Sequence, residues 1–236
     1  MKLTYIYHSG FFLELEKVNL LFDYYEGRLP DHDCRQPLVV FASHRHPDHF
    51  SKDIFKLAGD HSQVHYILSD DINSDQVPVE LRDRCIFMGP YQEVQPEIPA
   101  VDMRICTLKS NDEGVAFMVE TEGKKIYHAG DLNNWWWDDG TPEDRDLEAR
   151  YRAELQRIDG ENFNVAFLPV DPRITGWWKG MEDFLDHRTG DVLVPMHGFG
   201  DHSMPGKLRE RMERQGNEEN TKRLLDVSHP GQQWEL

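Results

Sequence analysis

A continuous apolar segment at residues 37–43, with the sequence PLVVFAS, constrains the fold of this chain more than any other feature. Uninterrupted branched and aromatic residues over such a length are typical of a β-strand that is buried on both faces. A strand of that kind must be covered by other elements on each side, which favours a layered α/β architecture. Similar apolar runs at residues 164–170 and 191–196 predict two more buried strands.

Shorter segments rich in aromatic and branched residues predict several further strands. We expect these strands within residues 3–23 and at residues 64–69, 103–108, 115–121, 124–130 and 223–227. The sequence EGKK, at residues 122–125, predicts the hairpin turn that joins two of them. Ser51 is expected to cap a short helix, and longer helical patterns occupy residues 142–158 and both sides of the strand at 191–196.

The composition limits the partners and the compartment that we expect. The 236 residues carry 26 Lys and Arg against 43 Asp and Glu, a net charge of −17, which disfavours nucleic acid or an anionic membrane as the partner. No apolar run approaches the roughly 18 residues that span a bilayer, and the N-terminal residues lack a secretory signal pattern. The three cysteines show no C-x-x-C spacing and predict no disulfide framework. We therefore expect a single cytoplasmic domain over residues 1–236, since no repeat or linker divides the chain.

Four potential metal ligands follow the apolar segment within six residues: His44, His46, Asp48 and His49. Loops that follow buried strands frequently carry functional side chains. Residues i and i+2 of an extended segment share a face, so His44 and His46 can bind one ion together. Imidazole and carboxylate ligands suit Zn, Fe, Mn or Ni better than Ca or Mg. The alternative, a histidine-rich surface loop without an ion, is disfavoured by the preceding strand and the spacing.

This H-x-H-x-D-H sequence after a buried strand resembles the signature of the metallo-β-lactamase superfamily of metallohydrolases. Residues 127–131, YHAGD, resemble the family's strand that ends in a metal-bridging Gly-Asp, and residues 194–197, VPMH, resemble its final strand with a metal-ligating His. Two segments, HSGF at residues 8–11 and LFD at residues 21–23, resemble the opening hairpin of the branch that contains L-ascorbate-6-phosphate lactonase. The matches occur in family order and cover most of the chain.

The resemblance implies an α/β fold of the metallo-β-lactamase type, a four-layer αββα sandwich with two sheets face to face between helices. It also implies one or two divalent metal ions, Zn or Mn, at one edge of the sheets. The implied ligands are His44, His46, Asp48, His49, Asp131 and His197. The implied activity is hydrolysis of a small ester, lactone or phosphodiester by a metal-activated water, with Asp48 as the catalytic residue that holds or accepts the proton.

One ligand of the family pattern is missing from this sequence. The family supplies a third His to its first metal position from the strand before the Gly-Asp, but residues 107–117 contain no His. Ser110, Asn111 or Asp112 takes that region, and each is a poorer ligand or one of a different kind. The first position then has only His44, His46 and a share of Asp131, whereas the second has Asp48, His49, His197 and the other share of Asp131. We therefore expect the second position to bind its metal ion first. A metal-stabilised binding or regulatory protein without turnover is the alternative function that this departure leaves open.

Several other residues allow two interpretations. His8, at a predicted strand end, could contact substrate near the metals or bond to the backbone in the core. Trp137, in a run of three tryptophans, could line a pocket for a small-molecule substrate, or the run could pack between loops or in a homo-oligomer interface. Asp171 and Arg173 could pair with each other or contact an anionic substrate. We predict substrate-binding roles for His8 and Trp137, and a structural role for His128.

Overall fold

The computed structural model describes residues 1–186 and 189–236. Its strands, in chain order, are β1 (Lys2–Tyr7), β2 (Gly10–Glu14), β3 (Asn19–Phe22), β4 (Leu38–Ala42), β5 (Val64–Ser69), β6 (Cys85–Met88), β7 (Glu93–Val94), β8 (Met103–Lys109), β9 (Val115–Thr121), β10 (Lys124–His128), β11 (Asn162–Pro169), β12 (Thr189–Met196) and β13 (Gln233–Glu235). They form a first sheet of order β13-β1-β2-β3-β4-β5-β6 and a second sheet of order β12-β11-β10-β9-β8-β7. The run β3 to β6 is parallel, as is the run β10 to β12.

The helices occupy the segments between these strands. The α-helices are α1 (Pro142–Gln156), α2 (Lys179–Leu185), α3 (Met204–Arg214) and α4 (Glu218–Arg223), and the 3₁₀ helices are Lys52–Gly59, Ser74–Gln76 and Val79–Arg84. Ser51 caps the first 3₁₀ helix by accepting a hydrogen bond from the Asp53 backbone N–H, as predicted. None of the helices in the described part of the chain is both long enough and apolar enough to cross a membrane.

The side chains of the first sheet alternate between two buried clusters. Along β3, Leu20 and Phe22 point toward the second sheet, whereas Leu21 between them points away from it. Aromatic rings join the two sheets across this interface, where the centroids of Phe11 and Phe167 lie 4.7 Å apart. The period-two pattern therefore gives the first sheet two apolar faces, and each face needs its own covering layer.

Helices supply those outer layers. The 3₁₀ helix at Lys52–Gly59 covers the outer face of the first sheet, where the Phe55 and Tyr66 rings lie 5.2 Å apart. On the outer face of the second sheet, the Tyr127 ring of β10 stacks on Phe184 of α2 at 5.4 Å. The layers run helix, sheet, sheet, helix, which confirms the αββα sandwich expected from the sequence.

The carboxyl ends of β4 and β10 are held against each other at one edge of the sandwich. The Ser43 carbonyl oxygen, just after β4, accepts a 2.9 Å hydrogen bond from the Val115 backbone N–H at the start of β9. Gly114 has a φ of +68°, and a Cβ atom there would lie 2.0 Å from the Ser43 oxygen. Glycine is therefore required for the approach that brings the loop after β4 beside the second sheet.

The structure confirms one prediction about the connections between strands and contradicts one about a strand. The hairpin turn between β9 and β10 is confirmed, since Glu122 and Gly123 both have positive φ angles of 50° and 69°. The strand predicted at residues 223–227 is wrong, because α4 ends at Arg223 and Leu224 makes an isolated bridge to Leu193. The Arg209 guanidinium donates to the Leu224 carbonyl at 2.6 Å and thereby satisfies an oxygen that a strand partner would otherwise bind.

Candidate metal centre

The six predicted ligands converge at the edge where β4, β10 and β12 end, and His8 joins them. They form two groups, in each of which the ligand atoms lie within 4.8 Å of one another: a first group of His44, His46 and Asp131, and a second group of His8, Asp48, His49 and His197. Within the first group, the His44 Nε2 atom lies 3.0 Å from the His46 Nδ1 atom. Two strands of the first sheet and two of the second thus contribute side chains to one site.

Asp131 lies between the two groups. Its Oδ2 atom is 3.4 Å from the Nε2 atom of His44 in the first group. Its Oδ1 atom is 3.2 Å from the Nε2 atoms of both His49 and His197 in the second group. The carboxylate is 4% exposed and presents one oxygen to each group. This arrangement supports the metal-bridging role that the family resemblance implies for Asp131.

The buried atoms of the site fit a bound cation. The Nε2 atoms of His8, His49 and His197 and the Oδ1 atom of Asp131 are buried and have no hydrogen-bond partner among the described residues. A buried polar atom without a partner costs free energy, on the order of 1–3 kcal/mol. Imidazole nitrogens and carboxylate oxygens are suitable ligands for divalent zinc and similar ions. The donor set therefore fits a divalent metal ion.

Two carboxylates outside the ligand set fix the orientation of the imidazoles. The His49 Nδ1–H donates to Asp23 at 2.7 Å, and the His197 Nδ1–H donates to Asp171 at 3.1 Å. Because Nδ1 carries a proton in each ring, Nε2, which lies 3.2 Å from Asp131, is the nitrogen that can bind a metal ion. Asp23 also accepts hydrogen bonds from the backbone N–H and the hydroxyl of Ser43. The sequence pattern around Asp23 and Asp171 does not by itself predict this role, because it depends on contacts between distant segments.

The charges of the site stabilise the ligand carboxylate. Burial raises the pKa of Asp131, but the charges of His49, His197 and His44 outweigh burial and hold that pKa well below its usual range. Burial lowers the pKa of His197, but Asp131 and Asp171 outweigh it and raise the pKa to about 9. Asp131 is therefore ionised at neutral pH, and its negative charge stabilises a cation beside it, whether a protonated imidazole or a metal ion.

The backbone is strained at three of these positions. His8, Asp23 and His197 adopt left-handed conformations, with φ angles of 56°, 41° and 66°. Such conformations cost non-glycine residues on the order of 1–3 kcal/mol each and tend to cluster at functional sites. Packing and hydrogen bonds around the site must hold these residues in place, as the bond from the His197 backbone N–H to the His8 carbonyl does.

Comparison with known proteins identifies the family. A model described as a beta-lactamase superfamily domain matches residues 2–140. A UPF0173 metal-dependent hydrolase from Opitutus terrae is 31% identical over 210 residues, which are 84% of each chain. The chain belongs to the UPF0173 metal-dependent hydrolase family. A second UPF0173 metal-dependent hydrolase, from Korarchaeum cryptofilum, is 25% identical over 100% of both chains.

Solved structures show the same fold as this UPF0173 protein. Igni18, a metallo hydrolase from the hyperthermophilic archaeon Ignicoccus hospitalis, superimposes with a TM-score of 0.63 and 22% identity, covering 100% of this chain and 98% of that one. The metallo-β-lactamase resemblance found in the sequence is thus confirmed at the level of superfamily and fold. The finer resemblance to the branch containing L-ascorbate-6-phosphate lactonase stays a prediction.

In this UPF0173 protein, the segment that lacks the third His is hydrogen-bonded to the segment that follows Asp131. The Asn111 Nδ2–H group donates to the Asn133 carbonyl at 2.7 Å, and its Oδ1 atom accepts from the Asn133 backbone N–H at 3.2 Å. Asn111 is thus committed to the backbone. Glu113, which belongs to none of the motifs found in the sequence, places its Oε2 atom 3.6 Å from the Nε2 atom of His46. A carboxylate rather than an imidazole therefore lies beside the first group.

A cavity of about 110 Å³ opens beside Asp131 and contains the predicted substrate-binding residue Trp137 in its wall. The Trp137 ring lies nearly parallel to that of Trp135, with the centroids 6.0 Å apart. Arg173 forms another wall, where its guanidinium pairs with Asp171 at 2.6 Å and lies 5.9 Å from the centre of the Trp137 ring. The two interpretations of Arg173 are therefore compatible, since one guanidinium pairs with a carboxylate and faces the cavity.

The first turn of α1 positions Trp137. Asp144 accepts hydrogen bonds from the backbone N–H groups of Trp137 at 2.7 Å and Thr141 at 2.9 Å. The Thr141 hydroxyl in turn accepts from the Asp144 backbone N–H at 3.1 Å, which completes a capping box. Burial raises the pKa of Asp144, but the backbone bonds from Trp137 and Thr141 outweigh it and lower that pKa to about 2.

His128 has a structural position in this UPF0173 protein, in agreement with the sequence prediction. Its Nδ1 atom accepts a 3.2 Å hydrogen bond from the Gly130 backbone N–H, so its Nε2–H donates to the Ser9 carbonyl at 3.1 Å. The ring also stacks on Phe22, with the planes 5° apart. Both ring nitrogens are used, which leaves none for a metal ion.

Proposed function

We propose that this protein is a metal-dependent hydrolase that cleaves a small ester, lactone or phosphodiester. The observation that carries the proposal is the convergence of five buried or half-buried imidazoles, Asp48 and Asp131 in two adjoining groups, with Asp131 in contact with imidazoles of both. Zn or Mn are the ions that we propose, because both accept imidazole together with carboxylate. Membership of a family named for metal-dependent hydrolysis supports the proposal.

We propose that each of the two groups binds one metal ion. His8, Asp48, His49 and His197 would hold one ion, His44 and His46 would hold the other, and Asp131 would contribute an oxygen to each. When bound, a divalent ion supplies a Lewis acid that polarises the scissile group and lowers the pKa of water. The protein's own contribution is to fix these ligands by the outer carboxylates and the strained backbone described above.

Asp48 is the residue that we propose to accept the proton of the attacking water. Its side chain is 30% exposed, so it can reach solvent, and its Oδ2 atom lies 3.4 Å from the Nε2 atom of His8. Burial raises the pKa of Asp48, but the nearby His8 imidazole and the charge of His49 outweigh it and hold that pKa well below its usual range. The carboxylate is therefore ionised at neutral pH, which is the form that accepts a proton.

The cavity beside Asp131 supports a small anionic substrate. Arg173 is held in place by the bidentate pair with Asp171, and its guanidinium also stacks on Phe199 at 3.8 Å from the ring centre. A guanidinium presents paired donors that match a carboxylate or a phosphate. The net charge of −17 and the volume of about 110 Å³ disfavour a long polyanion. We therefore place lactones and phosphodiesters with one negative charge first among the candidate substrates.

The test compares substrates on protein of known metal content. The protein is stripped with a chelator, reloaded with Zn or Mn, and assayed against neutral esters, lactones and phosphodiesters. We expect metal-dependent turnover of at least one class, lost in Asp48→Asn and kept in Asp53→Asn, a matched change of an exposed carboxylate nearby. Absence of turnover in fully loaded protein on every class would instead support the metal-stabilised binding protein, which the missing third imidazole favours.

A further inference from the structure

A separate cluster of metal-binding side chains lies at the opposite edge of the first sheet. His32, Cys34 and His61 each offer one ligand atom within 4.8 Å of the other two. His32 and Cys34 precede β4, and His61 precedes β5, so the cluster lies near the amino ends of strands whose carboxyl ends lead to the candidate metal centre. The five residues of β4 span about 16 Å at roughly 3.3 Å per residue, so one ion cannot serve both sites.

Hydrogen bonding fixes the tautomer of His32. Its Nδ1 atom lies 2.7 Å from the Pro30 carbonyl oxygen, which can only accept, so Nδ1 carries the proton. The Nε2 atom therefore has a free lone pair, and it faces the Nε2 atom of His61 at 3.0 Å. Metal-binding histidines characteristically donate their other ring N–H to a carbonyl or carboxylate in this way. The ring also packs on Phe12, which limits its rotation.

His61 is a buried imidazole without a complete set of partners. His61 is 2% exposed, and its Nδ1 atom has no hydrogen-bond partner among the described residues. The His61 and His32 rings are nearly parallel, with the planes 10° apart and the centroids 4.9 Å apart. Burial and the neighbouring His32 lower the pKa of His61, which favours the neutral imidazole that binds metal. Burial of this polar ring needs a compensating partner.

Cys34 completes the cluster with a thiol that faces solvent. Its Sγ atom donates a weak 3.8 Å hydrogen bond to the His32 carbonyl, which keeps the thiol on the side of the imidazoles. One thiolate with two imidazoles is a ligand set for zinc and other borderline or soft transition metals, whereas Mg, Ca and Mn prefer oxygen. The preference differs from that of the candidate metal centre, whose ligand groups contain imidazole and carboxylate only.

We propose that His32, Cys34 and His61 bind one zinc ion, with water in the remaining coordination position. The ion would join the segment before β4 to the segment before β5 and so close a loop that contains His44–His49. Because the unfolded chain has no preformed site, zinc bound here stabilises the folded protein. The site is structural and is independent of the proposed hydrolytic activity.

Cobalt substitution tests the proposal by a signal that the catalytic ligands cannot produce. Co²⁺ bound to a thiolate shows a near-ultraviolet charge-transfer band, and the two groups at the candidate metal centre contain no cysteine. We expect this band in the reduced protein, its loss in Cys34→Ser and in His32→Asn, and its retention in Cys106→Ser. Cys106 is the matched control, since its thiol lies on the second sheet beside Glu93. Asp131→Asn should weaken metal binding at the catalytic site and leave the band in place.

Zinc stoichiometry and thiol reactivity give a second measurement. Wild-type protein should bind one more zinc ion per chain than Cys34→Ser, and zinc should slow alkylation of Cys34 at least tenfold relative to chelator-treated protein. Circular dichroism of each variant checks that it is folded. Equal zinc content in wild type and folded Cys34→Ser, together with no thiolate band in cobalt-loaded wild type, would overturn the proposal and leave His32 and His61 as a hydrogen-bonded pair.

Discussion

The Nδ1–H of His49 donates a 2.7 Å hydrogen bond to Asp23, and both side chains are completely buried. The bond crosses from the loop after β4 to the end of β3, and it turns the Nε2 atom of His49 toward Asp131 at 3.2 Å. A carboxylate in this position sets the tautomer of a metal-binding imidazole and increases its basicity. Asp23 therefore controls the metal ligand without being one of the ligands.

Replacing Asp23 with Asn should weaken metal binding. The amide keeps the size of the side chain but removes the charge that supports His49, so we expect affinity for Zn or Mn to fall by about 10- to 100-fold. Competition titration against a chelating dye measures the change. Asp75→Asn is the matched control at an exposed position. Unchanged affinity in a folded Asp23→Asn protein would show that the hydrogen bond does not tune the metal site.

Replacing Asp48 with Asn should reduce turnover by about 10²-fold or more, the scale of a positioned general base. The variant keeps the side-chain volume and loses both the charge and the proton-accepting oxygen. Steady-state rates at saturating metal separate this effect from metal loss, and the metal content of each sample is measured alongside. A wild-type rate in fully loaded Asp48→Asn would remove Asp48 from the mechanism.

The two metal positions should fill in order. The second group has three imidazoles and Asp48, whereas the first has two imidazoles, and both share Asp131. Affinity rises with the number of well-oriented ligands, so the second group should fill first in crystals soaked with graded Zn or Mn. His8→Ala should reduce this difference, and His229→Ala, at an exposed histidine, should not. Equal occupancy at substoichiometric metal would contradict the ranking.

Removing the charge of Arg173 should affect anionic substrates selectively. A hydrogen bond to a charged group contributes roughly 1.5–3 kcal/mol, so Arg173→Gln should raise KM for a charged phosphodiester or lactone about tenfold or more. For a neutral ester, KM should change little. Arg173→Lys keeps the charge but loses the paired donors, and we expect an intermediate KM. Equal effects on charged and neutral substrates would indicate that Arg173 acts through Asp171 and His197 instead.

Asp144 should make the stability of the Trp137 loop depend on acid pH. Its pKa is lowered from 3.8 to about 2 in the folded protein, so its contribution is present above pH 4 and is lost as the pH falls toward 2. We expect Asp144→Asn to melt below wild type at pH 6, and the difference in Tm to narrow between pH 4 and pH 2. Both proteins are melted in EDTA, so that release of metal at low pH does not contribute to the difference in Tm. Asp146→Asn, an exposed position on the same helix, should show no such narrowing.

Local features of the sequence were sufficient for much of the fold and part of the site. The strands at 64–69 and 115–121 agree with β5 and β9, because the aromatic and branched residues that favour a strand are visible in the sequence itself, and most of them are buried. The strand predicted at 223–227 failed because Arg209, fourteen residues earlier than Arg223, supplies the hydrogen bond that fixes the backbone there. A distant side chain of this kind leaves no trace in local periodicity.

The sequence by itself determined the ligand loop, since His44, His46, Asp48 and His49 are fixed within six residues after one buried strand. Only the tertiary structure decided which residues complete that loop. His8, Asp23 and Asp171 follow the ends of β1, β3 and β11, and strand pairing within each sheet, together with the packing of the two sheets against each other, brings them to one site. The physical reason is that hydrophobic patterning specifies which face of a strand is buried, whereas the neighbours of a side chain at a strand end depend on the order in which strands pair.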